Sequence, residues 1–147
     1  MTDDDLRKTY ERMYGPFTHM GPEDAAIWVR FLVRGGNIHA PFYYDLRVGD
    51  GVQMPPDASD RSLRIAAALT TKRIDVLWYE QLTPVICELK KYAGATAIGQ
   101  LILYRQLFAY SFPNQPPART VLITDRLQPD MITSLTENDI QYIEVGL

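Results

Sequence analysis

The chain has 147 residues, 46% of them apolar and 22% charged, which is the make-up of one folded globular domain spanning 1–147. One cysteine excludes an internal disulfide, no apolar run approaches the length of a membrane span, and the polar, acidic start MTDDDLRKTYER is not a signal peptide. A net charge of −3 argues against a general nucleic-acid coating protein but leaves room for an enzyme with an acidic centre and local basic surface. The expected location is the cytoplasm, or a virion if the gene is viral.

Residues 3–14 read as a short helix with Leu6, Tyr10, Met13 and Tyr14 near one face, stopped by Gly15-Pro16. A second helix is predicted over 22–33, with Pro22 in its first turn, Glu23 and Asp24 at its positive end and Gly35-Gly36 beyond it. Ile27, Trp28, Phe31 and Val33 give it an apolar surface. FYYDLRV over 42–48 is aromatic and β-branched and reads as a strand. Residues 49–60 read as loop, and 62–70 fit helix or strand. Residues 73–80 (RIDVLWYE) and 84–90 (PVICELK) read as strands joined by a tight connection, hence an antiparallel hairpin. A turn is expected over 92–95, then a long helix over 96–110, a buried strand over 119–124, a short helix from Asp130 and a last strand over 141–145. This order implies an α/β fold, a mixed central sheet flanked by helices.

Chemistry concentrates on the hairpin. Residues two apart on a strand share a face, so Glu88 and Lys90 project together while Cys87 and Leu89 turn away. Asp75 stands inside the apolar run Ile74-Asp75-Val76-Leu77, where a carboxylate is costly unless paired, hydrogen-bonded or metal-bound. With a small offset such as a bulge, the hairpin sets Asp75 beside Glu88. Two adjacent carboxylates call for a cation or a proton, and hard oxygen ligands suit Mg2+ or Mn2+. The Leu89 carbonyl is a further candidate ligand, and Lys90 is placed to orient or deprotonate a water. The plainer alternatives are a solvated Glu88/Lys90 strand face and a hydrogen-bonded buried Asp75.

The segment TKRIDVLWYEQLTPVICELKKYAG resembles the core of the PD-(D/E)xK nuclease superfamily, in which an aspartate on one hairpin strand precedes E-x-K on the next. Asp75, Glu88 and Lys90 match those roles in order, although Ile74 replaces the proline of the family name. Gln100 and Tyr104, four apart on one helix face, resemble the Q-x-x-x-Y motif of RecB-like and phage-exonuclease-like members. The resemblance implies a restriction-endonuclease-like fold and Mg2+- or Mn2+-dependent hydrolysis of DNA phosphodiesters. It also implies an upstream acid, for which Glu23 is the first candidate and Glu11 and Asp45 are others. Lys72, Arg73, Lys91 and Arg105 are candidate contacts to the DNA backbone, with Arg61 and Arg64 weaker ones.

His19 and His39 lack metal-ligand spacing and are expected to be structural or exposed, and Cys87, Trp28, Trp78 and Phe108 to be core. Three jobs fit this pattern. The first is a small metal-dependent deoxyribonuclease, gripping DNA with help from a homo-oligomer. The second is a phage neck or head-completion protein that reuses the fold in a portal assembly, with or without activity. The third is a non-cleaving DNA-binding module.

Overall fold

In the computed structural model, which describes residues 1–50, 56–57, 59–62, 64 and 72–146, five strands form one sheet in the order β1-β2-β3-β4-β5. The strands are β1 (Tyr43–Val48), β2 (Lys72–Glu80), β3 (Thr83–Ala93), β4 (Arg119–Leu127) and β5 (Ile140–Glu144). β1–β2 and β2–β3 are antiparallel pairs, whereas β3–β4 and β4–β5 are parallel pairs. The sheet is therefore mixed, as the element order predicts. The helices are α1 (Asp3–Tyr14), α2 (Pro22–Val33), α3 (Ala95–Ser111) and α4 (Ile132–Glu137). Most of the loop expected over 49–60 and of the ambiguous stretch 62–70 lies outside the described residues.

Each face of the sheet carries its own core. On one side α2 lays Ile27, Trp28, Phe31 and Leu32 over Val76, Trp78, Val85, Cys87, Leu89, Val121 and Ile123, with Leu6, Tyr10 and Tyr14 of α1 at its margin. On the other side α3 packs Ala97, Ile98, Leu101, Tyr104 and Phe108 against Ile74, Leu77, Ile86 and Leu122. Those α3 positions recur at helical spacing, which is why the helix forms there. β3 is buried on both faces from Pro84 to Leu89, so its sequence reads as a continuous apolar run rather than an alternation. Trp28 and Trp78 are sealed at 0% and 2% exposure; removing either indole would cost about 3–5 kcal/mol. Met13 and Val33, expected to be inward, are instead 57% and 49% exposed; Val33, two residues past Phe31, lies off the helical stripe that faces the sheet.

The hairpin turns on Gln81-Leu82, with Gln81 at φ 57° and Glu80 paired to Thr83. β3 and β4 each run about three residues further than predicted. Tyr92 still pairs with Arg126 and Ala93 with Leu127, so the expected turn over 92–95 begins only after Ala93.

One irregularity positions the site. Ile74 and Val76 are two apart yet lie in opposite cores, and so do Tyr44 and Leu46 on the neighbouring strand. A regular pleat forbids this. The residues between them are Asp75 and Asp45, and Asp45 sits at φ 54°. Every other residue of β2 has a ladder partner; Asp75 has one on neither side. Both strands therefore kink at the same level of the sheet.

Candidate active site

Asp75 is held by what replaces its missing ladder contacts. Its Oδ2 accepts the main-chain N–H of Leu89 at 3.0 Å. Its carbonyl oxygen lies 3.1 Å from Nε2 of His19, which donates to it. The last regular β2–β3 pair is Val76 with Cys87, so the next step of the same register sets Asp75 against Glu88. That register needs no offset, contrary to the expectation of a bulge, and the two carboxyl groups perturb each other's titration.

Glu88 is 4% exposed, which rules out a solvated strand face. One oxygen faces the Lys90 ammonium at 3.7 Å, and Oε2 is buried with no hydrogen-bond partner among the described residues. Burial first, and the Asp75 carboxylate second, push Glu88 up to about 9, with Lys90 opposing. Asp75 is raised as well, by burial; the Leu89 amide works against that rise and Asp24 adds to it.

The acid that α2 turns toward this pair is Asp24. It is half-buried, raised by desolvation, and felt electrostatically by Lys90, Asp75 and Glu88. Glu23 instead points outward, its side chain 68% exposed and 3.5 Å from Lys91. The structure thus brings Asp24, rather than Glu23, to the centre. Asp24 falls on the same helical stripe as Ile27, Trp28 and Phe31, a signal present in the sequence. Glu11 is taken by Arg7 at 2.7 Å, and Asp45 by Arg73 at 3.7 Å.

From the α3 side, Tyr104 is 7% exposed. Burial first, then the charges of Glu88 and Asp75, push its hydroxyl up to about 12, while a hydrogen bond with Gln100 opposes the rise. Gln100 keeps a buried Oε1 without a partner among the described residues. The helix spacing sets Gln100 beside Tyr104, and of the two it is Tyr104 that feels the carboxylates.

The four cations proposed for DNA separate. Lys72 is exposed at the start of β2 and carries no ion pair among the described residues. Arg73 and Lys91 are paired with acids as above, Lys91 also lying 5.5 Å over the Tyr92 ring. Arg105 donates to the carbonyl of Asn138 at 3.1 Å, which ties α3 to the α4–β5 turn. Arg61 and Arg64 are exposed. His39 stacks on Trp78 and is structural, as expected, whereas His19 belongs to the site, a role its isolated position in the sequence gives no sign of.

The arrangement suits a divalent cation in one respect. Two converging carboxyl groups, one with an orphaned buried oxygen, are relieved by a positive charge that accepts oxygen donors. Among the described residues no group of three or more His, Cys, Asp and Glu side chains forms a protein cage. Asp75 and Glu88 are therefore the donors available, with main chain and water left to complete the shell. Magnesium is bound in that way, by one or two carboxylates and retained waters.

No family model matches the chain, and no curated protein matches it. Solved structures do. A crystal structure of a repair endonuclease from Pyrococcus abyssi superposes with a TM-score of 0.52 at 15% identity, covering 86% of this chain and 49% of that one. A protein of unknown function, AF1548, gives 0.50 at 10% identity over 79% of this chain and 55% of that one. An EndoMS–dsDNA complex gives 0.49 at 16% identity, over 87% and 47%. The chain spans about half the length of the solved structures it matches. The likeness establishes a shared α/β fold with the repair endonuclease, in agreement with the mixed sheet and flanking helices. Among the described residues, no helix is long and apolar enough to cross a membrane.

Proposed function

We propose that this chain is a divalent-cation-dependent nuclease that hydrolyses DNA phosphodiesters at the centre formed by Asp75, Glu88 and Lys90. The observation that carries the reading is the convergence of those three side chains at the kink, with a buried Glu88 oxygen lacking a partner. A purely structural use of the fold would leave them apart or blocked. The fold shared with a repair endonuclease favours DNA as the substrate.

Asp75 and Glu88 would hold Mg2+ or Mn2+, with the Leu89 carbonyl as a third donor. Such an ion, when bound, polarises the scissile phosphate and lowers the pKa of a coordinated water. The protein's own groups do the remainder. The Leu89 amide fixes the rotamer of Asp75. Lys90, its ammonium still partly open to solvent, orients the attacking water and offsets phosphate charge. Asp24 steadies Lys90 from the α2 side, and Gln100 and Tyr104 close the centre from α3. Lys72 and Lys91 lie near enough in the chain to steer the backbone, and a second copy would add grip that an acidic chain of this size lacks.

The test is cleavage of linear, nicked and branched DNA with Mg2+ or Mn2+ and with EDTA. Wild-type cleavage that needs the metal, and that Glu88→Ala and Lys90→Ala both abolish, is the expected result. Cleavage in EDTA, or activity untouched by both substitutions, sinks the reading.

A further inference from the structure

His19 reaches the kink from the loop between α1 and α2, and it touches both kinked strands. Its ring lies 5.7 Å from the ring of Tyr44 on β1, tilted by 37°. Its Nε2 donates to the carbonyl of Asp75 on β2 at 3.1 Å. Asp75 is the residue of β2 with no ladder partner on either side, and at that break in the ladder its carbonyl takes the His19 donor. A partly buried carbonyl without a donor is unfavourable, and the chain would regain one by returning Asp75 to the pleat. That return would swing the carboxylate away from the Leu89 amide and from Glu88, because one step of the pleat moves a side chain to the other face.

We infer that His19 is a positioning residue: its Nε2–H holds the Asp75 main chain in the kink and so aims the Asp75 carboxylate at Leu89 and Glu88. The inference needs the neutral tautomer with hydrogen on Nε2, or the doubly protonated ring; either supplies the donor. The anchoring is sound, because the loop is pinned on both sides of His19 by Phe17 at 0% and Met20 at 6% exposure. The structural part stands on geometry alone. Its consequence for cleavage rests on the proposed nuclease reading.

Two variants separate the donor from the ring. His19→Phe keeps an aromatic against Tyr44 and removes the donor, while His19→Gln keeps an N–H donor at about the same reach on a flexible stem. Amide hydrogen exchange of Leu89 reports the Asp75 contact without any assay of activity. In His19→Phe, Leu89 exchange is expected to accelerate about tenfold, the factor for one ordinary hydrogen bond, while Ile86 and Val121 keep wild-type protection. His19→Gln should recover much of it. On DNA with Mg2+, kcat should fall about tenfold or more in His19→Phe with KM little changed, since misaimed catalytic groups cost rate rather than binding. Leu89 protection unchanged in His19→Phe overturns the inference, and so does an equal loss at Leu89, Ile86 and Val121, which marks general destabilisation. If neither wild type nor any variant cleaves DNA, the nuclease reading fails while the exchange result still decides the role of His19.

Discussion

The carboxylate of Asp75 accepts the amide of Leu89 at 3.0 Å, so the peptide lying between Glu88 and Lys90 is fixed by the third member of the set. Position and charge are thereby coupled: whatever disturbs Asp75 also moves the strand that presents the other two. The consequences can be measured one residue at a time.

Substitutions at Asp75 should split stability from activity. Asp75→Asn retains an oxygen for the Leu89 amide and removes a charge from a crowded site, so thermal stability should be equal or higher. Asp75→Ala strands that amide and should cost about 1–3 kcal/mol. Both should lose metal-dependent cleavage. Thermal melts alongside the cleavage assay decide; an Asn variant as unstable as the Ala variant contradicts the role given to this bond.

Adjacent acids of α2 should behave differently. Glu23→Ala removes an exposed ion pair and should change stability by less than about 1 kcal/mol and cleavage hardly at all. Asp24→Ala should slow cleavage by about tenfold or more, because it faces Lys90 and Asp75. Steady-state rates for the two variants are the comparison, and a larger effect at Glu23 would reverse the assignment.

In EDTA, stability should depend on pH through Glu88. An unfolded glutamate titrates near about 4.3, whereas burial and Asp75 push the folded one up to about 9. Between these values the folded state binds more protons than the unfolded state, so stability falls as pH rises. It is highest below the ordinary carboxylate range, and the decline is finished by about pH 9. Glu88→Gln should flatten the curve and raise Tm at pH 8, by about 2–4 °C for each kcal/mol relieved. Denaturation across pH 5–9 checks the sign; stability rising with pH in the wild type but not in Glu88→Gln would contradict it.

Tyr104→Phe removes one hydroxyl from a packed ring. The fold should hold within about 1.5 kcal/mol, and cleavage should drop by about tenfold if the hydroxyl and Gln100 order groups around Glu88. Gln100→Ala should give a similar rate loss with almost no change in Tm. Full activity in both variants would reduce the pair to packing.

Much of this was legible in the chain. The hairpin, α3 and the mixed sheet follow from apolar periodicity, and Asp75, Glu88 and Lys90 from a carboxylate set in an apolar run beside E-x-K. The strand ends were not, because polar Lys91 and Asp125-Arg126 follow the apolar runs and a turn is expected over 92–95, although parallel pairing continues through Tyr92 and Arg126. The choice between Glu23 and Asp24 turns on one residue step around a helix, which the stripe through Ile27, Trp28 and Phe31 resolves. His19 could not be found this way. It meets Asp75 across 56 residues, and a contact of that range leaves no local spacing to read. The kink is equally silent, since no glycine or proline marks Asp45 or Asp75.

The two-residue turn at Gln81-Leu82 has a consequence for the order in which the molecule assembles. Closing a hairpin takes microseconds, whereas β3 and β4 must wait for the whole of α3 to form and cross between them. Asp75 and Glu88 are therefore expected to meet while the chain is still largely unfolded and wet, when water screens their repulsion. The energetic penalty of keeping them together arrives only later, as α2 and α3 dock and expel that water. Relief of this late penalty, by a proton or a cation, should slow unfolding more than it speeds folding.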